Sequence, residues 1–127
     1  MSELFECARA GRQAPLDIVD IHGHLGLWYP DIADTSAAGL VAAMDRVGVK
    51  SIMCSHLQCT SFDMVRGNRE VAAAMQAFPG RILGYLVMWP SSEAAVRAEV
   101  DWCLEAGFSG VKVHNNQGFP YLSLIHI

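Results

Sequence analysis

His22 and His24 are separated by one residue, Gly23. In an extended strand, residues i and i+2 point to the same side with Cα atoms about 6.5–7 Å apart. Two imidazoles at that spacing can converge on one cation, and neutral imidazole suits zinc and its neighbours. Asp20 follows the same alternation and either orients a ligating histidine through a hydrogen bond or simply pairs with another interior group. Taken alone, His-x-His is a weak motif. It is also the pattern of two solvated or hydrogen-bonded histidines at a strand end.

Other residues carry possible chemistry. Cys54, His56 and Cys59 place three soft ligands in a short stretch, a conceivable structural zinc site. A closed zinc site takes four ligands and no fourth lies nearby, so a buried strand cysteine followed by a loop histidine and cysteine is the competing account. Lys112 and His114 share one strand face by parity. Lys112 is either a metal ligand or an interior polar contact, and His114 either lines a pocket or is hydrogen-bonded at a strand end. Trp28 and Tyr29 follow the histidine pair and either cover a pocket mouth or pack. Trp89, Trp102 and Phe108 fall in core stripes.

The elements that must position these residues follow from periodicity. Leu16 to His22 alternates as a strand, with Val19 and Ile21 on an apolar face and Asp20, His22 and His24 on a polar one. Thr35 or Ser36 can cap a helix whose buried side holds Leu40, Val41, Met44 and Val47, with Gly48 at its end. Val49 to Ser55 is a second strand, and a polar loop is expected to run to about Asn68. Val71, Ala72, Met75 and Phe78 mark a second helix, closed by Pro79 and Gly80. Ile82 to Trp89 is a nearly continuous apolar run, as in strands buried on both faces. Ser91 and Ser92 precede a third helix with Val96, Val100, Cys103 and Leu104 on its buried stripe, and Gly110 to His114 is a fourth strand. Residues 1–15 show no period. Strands alternating with helices over short connections predict an α/β protein with a parallel sheet of four strands and three helices. No glycine-rich phosphate loop follows any strand, which removes the best support for a nucleotide-binding sheet.

Composition bounds the function classes. The 127 residues are 52% apolar and 17% charged, enough apolar surface to bury a core. The net charge is −4, without a basic block, so neither nucleic acid nor an anionic membrane is an expected partner. No apolar run reaches the roughly 20 residues that span a bilayer, and the acidic start lacks a signal-peptide pattern. Cys7, Cys54, Cys59 and Cys103 in so apolar a chain do not read as a disulfide framework. A reduced, cytoplasmic protein with a small-molecule substrate is expected.

Three segments together resemble the amidohydrolase superfamily, in the amidohydrolase-related branch that includes aminocarboxymuconate-semialdehyde decarboxylase. They are Val19-Asp20-Ile21-His22-Gly23-His24, then Gly67-Asn68-Arg69-Glu70-Val71-Ala72 leading to Phe78-Pro79-Gly80-Arg81-Ile82-Leu83-Gly84-Tyr85, then Glu105-Ala106-Gly107-Phe108-Ser109-Gly110-Val111-Lys112-Val113-His114. The resemblance covers roughly residues 16–120. It implies a (β/α)8 barrel holding a divalent metal, with zinc the expected ion and His22 and His24 its first two ligands. The remaining ligands in that family are histidines on strands five and six and an aspartate on strand eight. Some branches carry a carboxylated lysine on strand four that bridges two metals, the position of Lys112. The implied activity is hydrolysis of an amide, ester or lactone bond, or decarboxylation of a small carboxylic acid.

Such a barrel needs eight strands and about 250 residues. The expectation is therefore the N-terminal half of a longer enzyme, with residues 16–114 as the folded core and no turnover by the 127 residues alone. Strands one and four would be left as open edges, which invite aggregation or pairing with another chain. Leu122-Ser123-Leu124-Ile125-His126-Ile127 is the translation of a transposon end used to fragment DNA for sequencing. Residues 122–127 are thus expected to be adapter read-through rather than native sequence, the alternative being an ordinary apolar tail.

Overall fold

The computed structural model describes residues 2–27, 34–61, 63–89 and 91–114. Trp28, Tyr29 and the tail 122–127 with His126 lie outside the described residues.

Four strands form one parallel sheet in the order β1-β2-β3-β4. They are β1 (Ile18–Leu25), β2 (Val49–His56), β3 (Ile82–Val87) and β4 (Gly110–Lys112). Three crossover helices join them: α2 (Ala37–Val47), α4 (Met64–Ala77) and α5 (Glu93–Glu105). Each starts on a capping side chain. The Ser36 hydroxyl accepts the Gly39 N–H, the Asp63 carboxylate the Arg66 N–H, and the Ser92 hydroxyl the Ala95 N–H. Gly48 ends α2 at φ 77°, a left-handed cap that favours glycine.

Two short helices add to the expected elements. α1 (Glu3–Arg9) buries only Cys7, so it shows no apolar period, and Ser2 caps it. α3 (Leu57–Ser61) and the first turns of α4 replace the polar loop expected up to Asn68. Asp63 starts α4 well before the first apolar position, and Gly67 lets α4 close on α3, since a Cβ there would collide with Cys59 Sγ.

The core lies between the sheet's helix-facing side and the helices. Ile52, Cys54, Ile82 and Leu86 meet Val41 and Met44 of α2, Val71 of α4, Cys103 of α5 and Phe108. Val47 and Leu104, expected in buried stripes, sit at helix ends turned away from the sheet and are exposed. Val19 and Ile21, expected on an apolar buried face, are 51% and 68% exposed. They lie on β1, an edge strand paired only with β2, so nothing among the described residues covers them. All four cysteines are free and buried.

A buried polar network ties α4 to the end of β3. The Asn68 amide accepts the Val87 N–H at 3.1 Å and donates to the Val87 carbonyl at 3.1 Å, standing in for a missing strand partner. The same amide donates to Glu99 Oε1 at 2.9 Å. Glu99 is 4% exposed and is held by both Arg69 guanidinium nitrogens, at 2.8 and 3.0 Å. The guanidinium in turn lies 3.1 Å from the centre of the Trp102 ring. Among the described residues no helix is long and apolar enough to cross a membrane.

Candidate metal centre

All four strands run parallel, so their C-terminal ends share one end of the sheet. His22 and His24 near the end of β1, Ser55 of β2 and Lys112, the last residue of β4, all lie there. The two imidazoles meet edge to face with ring centres 5.1 Å apart. Lys112 Nζ reaches His22 Nε2 at 2.9 Å. β1 and β4 are three strand spacings apart and side chains stand perpendicular to a sheet, so a flat sheet would keep these groups apart. The contact requires the sheet to curl with this face inward.

Gly23 sits between the histidines because the other side of β1 has no room. A Cβ there would come within 2.5 Å of Ile52 Cδ1 and 2.9 Å of Cys54 Sγ. Gly23→Ala is expected to cost about 1–3 kcal/mol through overpacking. A lower urea midpoint at an unchanged slope would register it, and an unchanged midpoint would show that Ile52 and Cys54 yield freely.

The alternation expected for Asp20 is broken. Asp20 is in register with Ile52, whereas Gly23 is in register with Cys54 and His24 with Ser55. Three steps along β1 thus match two along β2, a bulge that takes Asp20 out of the histidines' register. Asp20 Oδ1 accepts the His22 main-chain N–H at 2.9 Å, so it fixes the bulged backbone rather than the imidazole.

One nitrogen of each ring has a defined neighbour. Ser55 Oγ lies 3.2 Å from His24 Nδ1. If Nδ1–H donates to this hydroxyl, His24 Nε2 carries the lone pair a cation needs. The Lys112 ammonium donates to His22 Nε2, which places the His22 lone pair on that nitrogen too. Burial pushes the His24 pKa below its usual 6.5, and the charges of His22, Lys112 and His114 push it the same way, with Ser55 opposing. Burial also lowers the His56 pKa, against Glu70 and with Arg66.

A sign follows for pH. Both rings are held neutral in the fold, so the unfolded chain takes up protons first as pH falls. Their contribution to stability is complete above about pH 6.5 and is lost below it, through the lowered pKa values. Urea midpoints should be level above about pH 6.5 and fall progressively as the pH drops below it. Midpoints that rise on acidification would contradict the assignment.

The alternative site at Cys54, His56 and Cys59 does not assemble. Among the described residues no three His, Cys, Asp or Glu side chains are grouped to hold a metal. His56 Nδ1 accepts the Gln58 N–H, while Cys59 Sγ turns to Asn68 Oδ1 and the Met64 carbonyl, each at 3.6 Å. Burial raises both thiols to about 12, the wrong direction for thiolate ligands. The expectation of a loop was also wrong here, since His56 ends β2 and Cys59 lies in α3.

The histidine pair fits two positions of a metal's coordination shell, and the described residues supply no third carboxylate, thiol or imidazole to it. A cleft of about 650 Å³ near the ends of β1 and β2, lined in part by Leu25, Thr35, His56, Arg66 and Glu70, includes neither His22 nor His24. Sequence reasoning missed Ser55 and the Asn68–Glu99–Arg69 network. Glu99 carried a signal, because it falls on the Val96–Val100–Cys103 stripe where a charge needs a partner.

No protein-family model matches the chain, and no curated protein matches it. Among solved structures it is similar to a probable 2-pyrone-4,6-dicarboxylic acid hydrolase from Acinetobacter baumannii, crystallised with citric acid bound. The sequences are 18% identical, the TM-score is 0.58, and the match covers 77% of this chain and 38% of that one. At that identity the likeness is one of fold. The four parallel strands with their alternating helices form a curled half-barrel, the N-terminal half of a (β/α)8 barrel.

Proposed function

We propose that this chain is the N-terminal half of a divalent-metal-dependent hydrolase, with zinc as the ion and a small carboxylate-bearing amide, ester or lactone as substrate. The observation that carries the reading is the meeting of His22, His24 and Lys112 on the inward face at the C-terminal strand ends. That is where barrel enzymes build their sites. The hydrolase name and bound citric acid of the structural neighbour support both the reaction class and the anionic substrate.

When bound, the metal supplies an acidified water and a polarised substrate carbonyl. The chain's own residues do the rest that falls to this half. His22 and His24 would hold the ion through Nε2. Ser55, by accepting the His24 Nδ1–H, would fix the tautomer that leaves Nε2 to the ion. Lys112 would have to release the His22 lone pair for that nitrogen to hold an ion, and its ammonium would then be available to a substrate carboxylate. The general base and remaining ligands would come from the other half of the barrel. Decarboxylation of a small carboxylic acid would use the same carboxylate-binding arrangement.

The test uses the longer protein that carries these residues. Dialysis against a chelator should abolish hydrolysis of lactone dicarboxylates, and added zinc should restore it. Undiminished turnover by metal-free protein would end the proposal.

A further inference from the structure

We infer that Asn68, held by Glu99 and Arg69, is a positioning residue that sets Lys112 against the histidine pair. It does so by joining two halves of the strand-end face that the sheet itself leaves apart. The role of Lys112 toward a substrate carboxylate rests on the functional reading above, while its placement by Asn68 is measured independently.

Among the described residues the β2–β3 ladder covers Ile52–Cys54 against Ile82–Gly84 and goes no further. Beyond Cys54, β2 still pairs with β1, Ser55 with His24 and His56 with Leu25, and then turns into α3. Beyond Gly84, β3 pairs with β4, and Val87 is in register with Lys112. At their C-terminal ends the strands thus part into two pairs. One pair carries His22, His24 and Ser55, and the other carries Lys112. The 2.9 Å contact between Lys112 Nζ and His22 Nε2 spans the two.

Side chains of α3 and α4 take the place of the missing ladder. In a parallel sheet the N–H and C=O of one residue point to the same neighbouring strand. Those of Val87 both go to the Asn68 amide, at 3.1 Å each. Two residues on, the Trp89 N–H donates to Met64 Sδ at 3.1 Å and its indole N–H to the Cys59 carbonyl.

Asn68 works as a clamp because its amide is saturated and can point only one way. Oδ1 accepts from the Val87 N–H and from Cys59 Sγ, and Nδ2 donates to the Val87 carbonyl and to Glu99 Oε1. An ionised carboxylate takes only donors, so Glu99 decides which end of the amide carries hydrogen. Arg69 holds that carboxylate with two nitrogens and is itself seated over Trp102. The margin at the far end is small. A hydrogen bond is lost beyond about 3.5 Å, so a drift of about 1 Å between the halves takes Lys112 off His22. A misplacement of about 1 Å at a substrate-binding group can cost about a hundredfold.

The test uses the full-length protein, freed of metal with a chelator and labelled at lysine and histidine. It reads nuclear Overhauser contacts between the Lys112 ε-methylene and the His22 ring. The unaltered protein should show this contact together with one between the His22 and His24 rings. In Asn68→Ser the Lys112–His22 contact should weaken at least threefold while the His22–His24 contact persists, a split that general destabilisation does not produce. Glu99→Gln keeps the bulk and an acceptor, so it stays informative if the Asn68 variant fails to fold, and there the contact should weaken at least twofold. In hydrolysis of lactone dicarboxylates, Asn68→Ser should raise KM at least tenfold, and adding it to Lys112→Met should raise KM no further than Lys112→Met alone. A Lys112–His22 contact absent from the unaltered protein, or unchanged in the variants that fold, would overturn Asn68 as a positioning residue and leave the functional reading intact. KM effects that multiply in the double variant would overturn it too. The expected loss of contact in a protein that neither binds zinc nor hydrolyses a lactone would uphold the positioning and overturn the functional reading.

Discussion

If the chain is half of a metal-dependent hydrolase as proposed, replacing both His22 and His24 by Ala in the full-length protein should remove bound metal and turnover together. Zinc binding of about 10 kcal/mol or more spread over four ligands is at least about 2.5 kcal/mol for each. Losing two removes about 5 kcal/mol, a more than thousandfold loss of affinity. The fold should survive, because His22 is exposed and His24 only half-buried. The single replacement Ser55→Ala should be milder, about 10–100-fold in metal affinity, since it frees the His24 tautomer without removing a ligand. Metal analysis by mass spectrometry checks both. Unchanged stoichiometry in the double variant would remove the pair from the site.

Asn68→Ala should be among the most damaging single changes in the chain. It takes the Asn68 partner from the Val87 N–H and carbonyl, leaves Glu99 Oε1 to Arg69 and Cys103, and opens a gap where Asn68 and Val87 are fully buried. Unsatisfied buried groups cost about 1–3 kcal/mol each, so a total of about 3–5 kcal/mol is expected. That is a large part of the 5–15 kcal/mol that holds a domain together. Asn68→Asp tests the mechanism, because it keeps the acceptor for the Val87 N–H, removes the donor, and sets a second carboxylate against Glu99. It should be at least as destabilising in urea unfolding. Little change in either variant would show that Val87 finds other partners.

The parallel sheet and its three crossover helices were legible because their signals are local. Alternation marks β1, a continuous apolar run marks β3, and Ser36, Ser92 and Gly48 punctuate the helices. The pairing of His22 with His24 on one face was legible for the same reason, since it needs only the strand period after the bulge. Asp20 was misplaced because a bulge depends on the register with β2, which no local pattern records. Lys112 was placed on the correct strand, but its contact with His22 depends on the curl of the whole sheet. Cys54, His56 and Cys59 are close in sequence and look like ligands. What turns Cys59 inward is the packing of α3 on Gly67 and Asn68, residues a loop reading leaves unassigned. Val19 and Ile21 show the opposite failure, because an apolar face is buried only if a neighbour arrives to cover it.

The most direct test of the central claim is a titration of the 127-residue chain with cobalt(II), followed through its histidine ring proton resonances. The account predicts that the His22 and His24 signals broaden first and together, well before those of His56, and that zinc competes the effect away. Broadening that begins at His56, or that spares His22 and His24, would contradict it.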